Sequence, residues 1–159
     1  MNLMERATLL RQLTTDLEQL IVEADHDGIQ QLVVGAVVGH DGQVLLLQRP
    51  QEDFMGGILE LPSGKVEANE TLDAALVREV KEETGLEVNA LRVYLGSFDY
   101  PSGSGKKSRQ FNFAVDVTTP GPIELQEHDA YQWATLVEEP PVTDAVKNVL
   151  GTYRELMSV

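Results

Sequence analysis

The sequence predicts a single α/β domain in which helices cover both faces of a mixed β-sheet. The chain has 159 residues, which is the length of one domain. Hydrophobic residues make up 42% of it and charged residues 24%, so it can build a core and does not resemble a disordered acidic chain. Strand-like segments begin early and helical segments interrupt them irregularly, which is typical of a mixed sheet packed between helices.

Apolar residues at helical spacing open the chain over residues 3 to 22, at Leu3, Leu10, Leu13, Leu17 and Leu20. Charged residues lie between them, and the turn-forming residues 25 to 28 end the pattern. We therefore predict residues 1–24 as an amphipathic helix packed on a domain of residues 25–159. This helix is also a candidate contact for a homodimer.

Five later segments have the short apolar or alternating patterns of strands. The first two form a hairpin around the turn residues 39 to 42. The segments are Leu32 to Val38, Val44 to Leu47, Ile58 to Leu61, Leu91 to Tyr100 and Arg109 to Val117, and a further strand is expected around Trp133.

Two more helices are predicted. One runs from Thr71 to Thr84 and ends at Gly85, a residue suited to the left-handed position after a helix. The other runs from Thr143 to Met157, with Thr143 as its N-cap.

The formal net charge of −14 limits which molecules the protein is expected to bind. An acidic surface repels nucleic acid polymers and anionic membranes, and no apolar run reaches the eighteen or so residues of a membrane span. The N-terminus lacks the pattern of a secretory signal, and the absence of cysteine excludes disulfides and thiolate metal sites. These features favour a cytoplasmic protein. The acidity itself is explained either by solubility or by a bound divalent cation that attracts a phosphate substrate.

Three carboxylates share one face of the helix that starts at Thr71. Glu79, Glu82 and Glu83 stand three and four residues apart near the C-terminal end, where like charges and the helix dipole both disfavour them. Hard oxygen ligands in this pattern suit Mg²⁺ or Mn²⁺. The alternative is a solvated face in which Arg78 pairs with Glu82.

The segment around this helix carries a spaced motif of nine residues. A chance match has a probability on the order of 10⁻⁹ per starting point if each fixed type has a frequency of about 5–7%. The motif comprises Gly64, Glu70, Arg78, Glu79, Val80, Glu82, Glu83, Gly85 and Leu86. It resembles the complete Nudix box, and the likeness to MutT-like Nudix hydrolases extends from about Leu32 to about Val149.

This resemblance implies an α/β/α sandwich and a loop–helix–loop that binds Mg²⁺ or Mn²⁺. It implies that Glu79, Glu82 and Glu83 are metal ligands, with the backbone carbonyl of Ser63 as a further ligand. Ser63 stands where many members have glycine. Arg78 resembles the arginine that orients a glutamate for catalysis, and Glu70 resembles a structural residue of the loop.

The resemblance is looser outside the box. Arg49 matches a strand-end arginine that contacts phosphate, although it could equally be solvated. Lys65 follows the box glycine and could neutralise a phosphate oxygen. Glu127, six residues before Trp133, resembles a loop glutamate that serves as ligand or base, whereas we expect His128 to be a surface residue. The cluster of Lys106, Lys107 and Arg109 either meets the substrate, with Arg109 as its binding residue, or is a solvated hairpin tip.

The family resemblance implies a small-molecule nucleotide substrate. A phosphoanhydride bond of a nucleoside diphosphate linked to another group would be cleaved by metal-assisted attack of water. Glu82 and Glu127 are both candidates for the base. We favour a (d)NTP pyrophosphohydrolase. The alternatives are an ADP-ribose or nucleotide-sugar pyrophosphatase, suggested by the residues 61 to 64 and by Tyr100-Pro101, and a non-catalytic nucleotide-binding module.

Overall fold

The computed structural model describes residues 2–52, 56–137 and 140–157, and the side chains of residues 6–15 lie outside this description. The described elements are three helices and seven strands. They are α1 (Leu3–His26), β1 (Gln31–His40), β2 (Gln43–Gln48), β3 (Leu59–Glu60), β4 (Ser63–Lys65), α2 (Leu72–Thr84), β5 (Val88–Pro101), β6 (Lys107–Val117), β7 (Ala130–Thr135) and α3 (Asp144–Met157).

The strands form one mixed sheet. Its main order is β3-β2-β1-β6-β5, with β4 also paired to β1 and β7 also paired to β2. Strand β1 runs parallel to β6, while the other pairings are antiparallel. The long central strand β1 thus connects the short strand β4 to the β5–β6 hairpin.

Alternate residues of the central strands build two separate cores. Leu45 and Leu47 of β2 face α1 and α2, with Leu17 and Ala24 of α1 buried in the same cluster. Leu46 of β2 faces the opposite way, toward α3. Because the side-chain period of a strand is two, this alternation places helices on both faces of the sheet. The predicted mixed sheet between helices is confirmed.

Local sequence signals fix several element ends. Asp41 and Gly42 have φ angles of 50° and 77°, so the β1–β2 hairpin closes through a two-residue turn as predicted. Thr71 accepts a hydrogen bond from the Ala74 amide at 3.3 Å, and Gly85 ends α2 in the left-handed region. The amide of Val146 donates to Thr143 Oγ1 at 3.3 Å, in agreement with the predicted N-cap of α3.

Two elements differ from the sequence prediction. Strand β4 was not expected, because three residues are too few to show an alternating pattern. Helix α1 continues to His26, past position 24, and the predicted side-chain contacts of Leu10 and Leu13 lie outside the described residues. The division into residues 1–24 and 25–159 therefore stays a prediction. None of the described helices is long and apolar enough to cross a membrane.

Two glycines differ in whether their backbone conformation requires glycine. Gly85→Ala places a side chain at φ 77° and brings its Cβ to 3.3 Å from Glu124 Cβ, so we expect the free energy of unfolding to fall by about 1–2 kcal/mol. Gly151→Ala lies inside α3 with open space around it, and should raise this free energy by about 0.5–1 kcal/mol. Urea denaturation measures both changes, and shifts of equal sign would contradict this account.

Candidate active site

The acidic face of α2 lies against the loop that precedes it. Strand β4 pairs with β1 through Ser63, Gly64 and Lys65, which holds this loop on the sheet beside the helix. A Cβ added at Gly64 would collide with the Glu79 carboxylate. Glycine at position 64 therefore leaves the space that the Glu79 carboxylate occupies, and a side chain there would displace this carboxylate.

Arg78 ties the loop to the helix. Its guanidinium donates to both carboxylate oxygens of Glu70 at 2.7 and 2.8 Å and to the Lys65 carbonyl at 2.9 Å. It also reaches Glu79 at 2.7 Å and Glu82 at 3.2 Å. The Arg78–Glu82 contact of the surface-pair alternative is thus present, but it is one part of a larger network. A planar fork with several donors suits this task better than a lysine ammonium group.

Glu83 is enclosed, as is Glu79, whose side chain is 14% exposed. The side chain of Glu83 is 19% exposed, and its Oε2 is buried with no hydrogen-bond partner among the described residues. Burial raises the pKa of Glu83 to about 8, and the charges of Glu79 and Glu60 act in the same direction. Burial also raises the pKa of Glu79, although Arg78 opposes that shift. Both carboxylates therefore lie where a cation would stabilise their ionised forms.

The residues fit a divalent cation by their chemistry. Their side-chain donors are carboxylate oxygens, and the orphaned Oε2 of Glu83 is available as a ligand. In the described part of the chain, no three acidic or histidine groups stand ready as a metal cluster. Arg78 contacts one oxygen of Glu79 and one oxygen of Glu82, so the other oxygen of each carboxylate is left for a metal while the ion pairs persist.

His128 corrects the expectation that it is a surface residue. Its side chain is 9% exposed, and Nε2 lies 2.7 Å from Glu60 Oε1. Nδ1 lies 3.6 Å from Glu83 Oε2, which is too far for a hydrogen bond. The histidine thus stands between two acids that come from different elements. It also holds the loop that carries Glu127, whose charge contributes to the raised pKa of Glu83.

Glu60 was missed by sequence analysis although it is central to this cluster. It accepts from His128 through one oxygen and lies 3.4 Å from Arg49 Nη1 through the other. The Nε atom of Arg49 is buried without a partner. An acidic residue between Leu59 and Leu61 in a short apolar strand was the available signal.

The basic residues divide into two groups. Lys65 and Lys106 line a cavity of about 580 Å³ that also includes the loop residues 66 to 70. Arg109 instead forms ion pairs with Asp99 at 2.7 Å and with Asp27 at 3.0 Å. Among the described residues, Arg109 makes no contact with the box glutamates. Its role in substrate binding stays a prediction.

Comparison with known proteins agrees with this arrangement. The NUDIX domain family matches residues 29–154. The CTP pyrophosphohydrolase of Escherichia coli K12 is 47% identical over 103 residues, covering 65% of this chain and 74% of that enzyme. The ADP-ribose pyrophosphatase of Methanocaldococcus jannaschii is 39% identical over 70 residues, covering 44% of this chain and only 40% of that enzyme.

A solved structure shows the same fold. The solution structure of the E. coli ORF135 protein superposes with a TM-score of 0.67 at 31% identity, covering 82% of this chain and 93% of that one. The match of the family over most of the chain shows that this protein belongs to the NUDIX family, whose named relatives include nucleotide pyrophosphohydrolases. The predicted family and fold are confirmed, while the individual roles of the site residues stay predictions.

The raised pKa of Glu83 predicts how stability depends on pH when metal is removed with EDTA. The folded protein keeps a proton that the unfolded chain releases, so this stabilisation is present below pH 4.5 and is lost as the pH rises to about 8. We expect the free energy of unfolding to fall by up to about 5 kcal/mol across this window, since each unit of the pKa difference corresponds to about 1.4 kcal/mol. Glu70, with a pKa of about 2, titrates below it.

Chemical denaturation at several pH values tests this expectation. Glu83→Gln should flatten the decline, whereas Glu87→Gln changes an exposed glutamate paired with Lys81 and should retain it. A wild-type protein that gains stability from pH 5 to pH 8 in EDTA would show that Glu83 is ionised in the folded state.

The network around Arg78 gives a second prediction. Arg78→Lys keeps the charge but loses the fork that reaches Glu70, Glu79 and the Lys65 carbonyl, so unfolding should become easier by about 2 kcal/mol. Arg92→Lys is the control, since Arg92 meets one exposed partner, Asp116, at 3.4 Å and should change by less than about 0.5 kcal/mol. Equal losses in thermal or urea unfolding would refute the special role of Arg78.

Proposed function

We propose that this protein is a Mg²⁺-dependent nucleoside triphosphate pyrophosphohydrolase, with Mn²⁺ as a substitute. The observation that supports it most directly is the enclosed Glu83, with an unpartnered oxygen among several other carboxylates. A polyphosphate brings more negative charge to this site, so a divalent cation is needed between the two. The activity named for the relative from E. coli K12 is of the same kind.

Glu79, Glu82, Glu83 and the Ser63 carbonyl would hold the cation. When bound, it would screen the polyphosphate and lower the pKa of a water molecule. Arg78 orients Glu79 through a 2.7 Å hydrogen bond. Lys65 and Arg49 are the proposed contacts to phosphate oxygens.

The reaction breaks the anhydride between the α and β phosphates and transfers either the nucleotidyl or the pyrophosphoryl group to water. Glu82 or Glu127 accepts a proton from the water, whose oxygen forms a bond to phosphorus as the bond to the bridging oxygen breaks. The products are a nucleoside monophosphate and pyrophosphate. Glu82 is the most exposed of the three helix carboxylates, at 57%. His128, next to Glu127 in the chain, contacts Glu60 and so holds the loop of Glu127 at the acidic cluster. Both glutamates are therefore candidates for the base.

Cleavage of ADP-ribose or a nucleotide sugar is the second candidate function. It is favoured by the relative from M. jannaschii and by the run Leu61-Pro62-Ser63-Gly64 before the helix. The third candidate, a binding module without activity, is disfavoured because every box carboxylate is present. The cytoplasmic location and the homodimer are proposals as well, supported by the absence of cysteine and by the apolar pattern of α1.

Substitution of two ligands tests the proposed chemistry. Glu82→Gln and Glu83→Gln should each lower kcat more than about 100-fold while the protein stays folded, because each removes a metal-binding charge. Glu87→Gln is the matched control and should retain full activity. Release of pyrophosphate from nucleoside triphosphates with Mg²⁺ is the measurement, together with circular dichroism of each variant.

Two results would contradict the proposal. Full activity of both ligand variants, or of the wild type in excess EDTA, would remove the metal assignment. A panel that includes ADP-ribose, nucleotide sugars and dinucleoside polyphosphates decides the substrate class, and equally feeble rates on all of them would favour the binding module.

A further inference from the structure

A pair of amide side chains lies buried on the face of the sheet opposite α2. Asn112 is 0% exposed and Gln110 is 7% exposed, although β6 otherwise buries apolar residues along its middle. Burial of polar groups requires hydrogen bonds or a function, because an unpaired amide is costly to remove from water. The chemistry described so far makes no use of this pair.

The backbone fixes the orientation of both amides. Asn112 Nδ2 donates to the carbonyl of Gly96 at 3.1 Å and to the carbonyl of Gln110 at 3.2 Å. Carbonyl oxygens only accept, so the nitrogen of Asn112 must face them and its Oδ1 must face the other way. Gln110 Nε2 then donates to that Oδ1 at 2.8 Å. Rotation of either amide by half a turn would place two acceptors together.

These hydrogen bonds leave the side-chain carbonyl oxygen of Gln110 without a donor among the described residues. This oxygen, Oε1, is not among the fully enclosed side-chain atoms that lack a partner. The nitrogen end of the amide is the end that lies against Gly35, where an added Cβ would collide with it. The open end of Gln110 is therefore a fixed hydrogen-bond acceptor.

The amide pair lies in register with the loop of the proposed metal site. Gln110 of β6 pairs with Val33 of β1, which pairs with Lys65 of β4. Gly35 of β1 pairs with Ser63 of β4 on one side and with Asn112 of β6 on the other. Residues directly opposite one another on neighbouring strands project from the same face, with strands about 4.8 Å apart. Ser63 and Asn112 are thus separated by about 10 Å. The sugar of a nucleotide can bridge such a gap between a phosphate and its base.

Aromatic rings flank the acceptor. Phe98 of β5 lies opposite Gln110 in the sheet register, and its ring centroid is 5.9 Å from that of Tyr100. Both side chains are partly exposed. Rings of this kind provide stacking surfaces for any base, so they supply affinity without choosing between bases.

We infer that Gln110 selects nucleotides whose base has an amino group at C4 of a pyrimidine or C6 of a purine, as in cytosine and adenine, over bases with a carbonyl oxygen at that position. An amino group donates to Oε1, whereas the carbonyl of uracil or hypoxanthine would oppose one acceptor to another. Because the nitrogen end of Gln110 is already committed, the amide does not turn to suit the carbonyl. This inference rests on the proposed function, since it places the base beside the cleaved polyphosphate.

Pairs of nucleotides that differ in this group alone provide the test. We expect kcat/KM to be at least about tenfold higher for CTP than for UTP, and for ATP than for ITP. Gln110→Met should reduce both ratios to less than about threefold, because methionine has a similar length but no carbonyl. Gln132→Met is the control, since Gln132 is an exposed residue of β7 and should leave both ratios as in the wild type.

Binding separates this inference from the proposed function. Calorimetric titration of CMP against UMP, and of AMP against IMP, reports the same preference without any hydrolysis. Equal kcat/KM within both triphosphate pairs would overturn the role of Gln110 and leave the hydrolase intact. If ADP-ribose alone is cleaved, the triphosphate function fails, and a preference of AMP over IMP still supports the amide, whereas equal binding refutes it.

Discussion

The crowding of negative charge along α2 is the constraint on which the rest of the site depends. Burial, together with the charges of Glu79, Glu60 and Glu127, raises the pKa of Glu83 to about 8. Arg78 compensates part of this negative charge through its ion pairs with Glu70, Glu79 and Glu82. Gly64 and the short strand β4 bring the loop close enough for those contacts to form. The loop, the helix and their charges therefore stabilise one arrangement together.

Local signals made much of the fold predictable. The residues Asp41-Gly42 identify a hairpin turn, and Thr71 and Gly85 mark the two ends of α2, because each signal acts over a few neighbouring residues. The spaced box likewise located the acidic face. Strand β4 could not be seen, since three residues carry no pattern and only its pairing with β1 makes it a strand.

Long-range contacts explain what the sequence did not reveal about the site. His128 lies 68 residues after Glu60, and only the pairing of β7 with β2 brings its loop to β3. Arg109 looked like a free cation, but the β5–β6 register places Asp99 directly opposite it. The pKa and the role of an ionisable residue depend on the partners that the fold brings to it. The spacing of residues along the chain contains no information about these partners.

The contacts of Arg78 have a consequence for how such a protein can diversify. They span at most thirteen residues of sequence, from Lys65 to Arg78 and from Arg78 to Glu82, so the acidic loop–helix unit is nearly self-contained. Gln110 and Phe98, by contrast, lie on the β5–β6 hairpin, which is joined to the loop of the box only through β1 in the finished sheet. Mutations in those strands can change which substrate binds without altering the acidic loop–helix unit. Substrate recognition and catalytic chemistry can therefore evolve at separate rates.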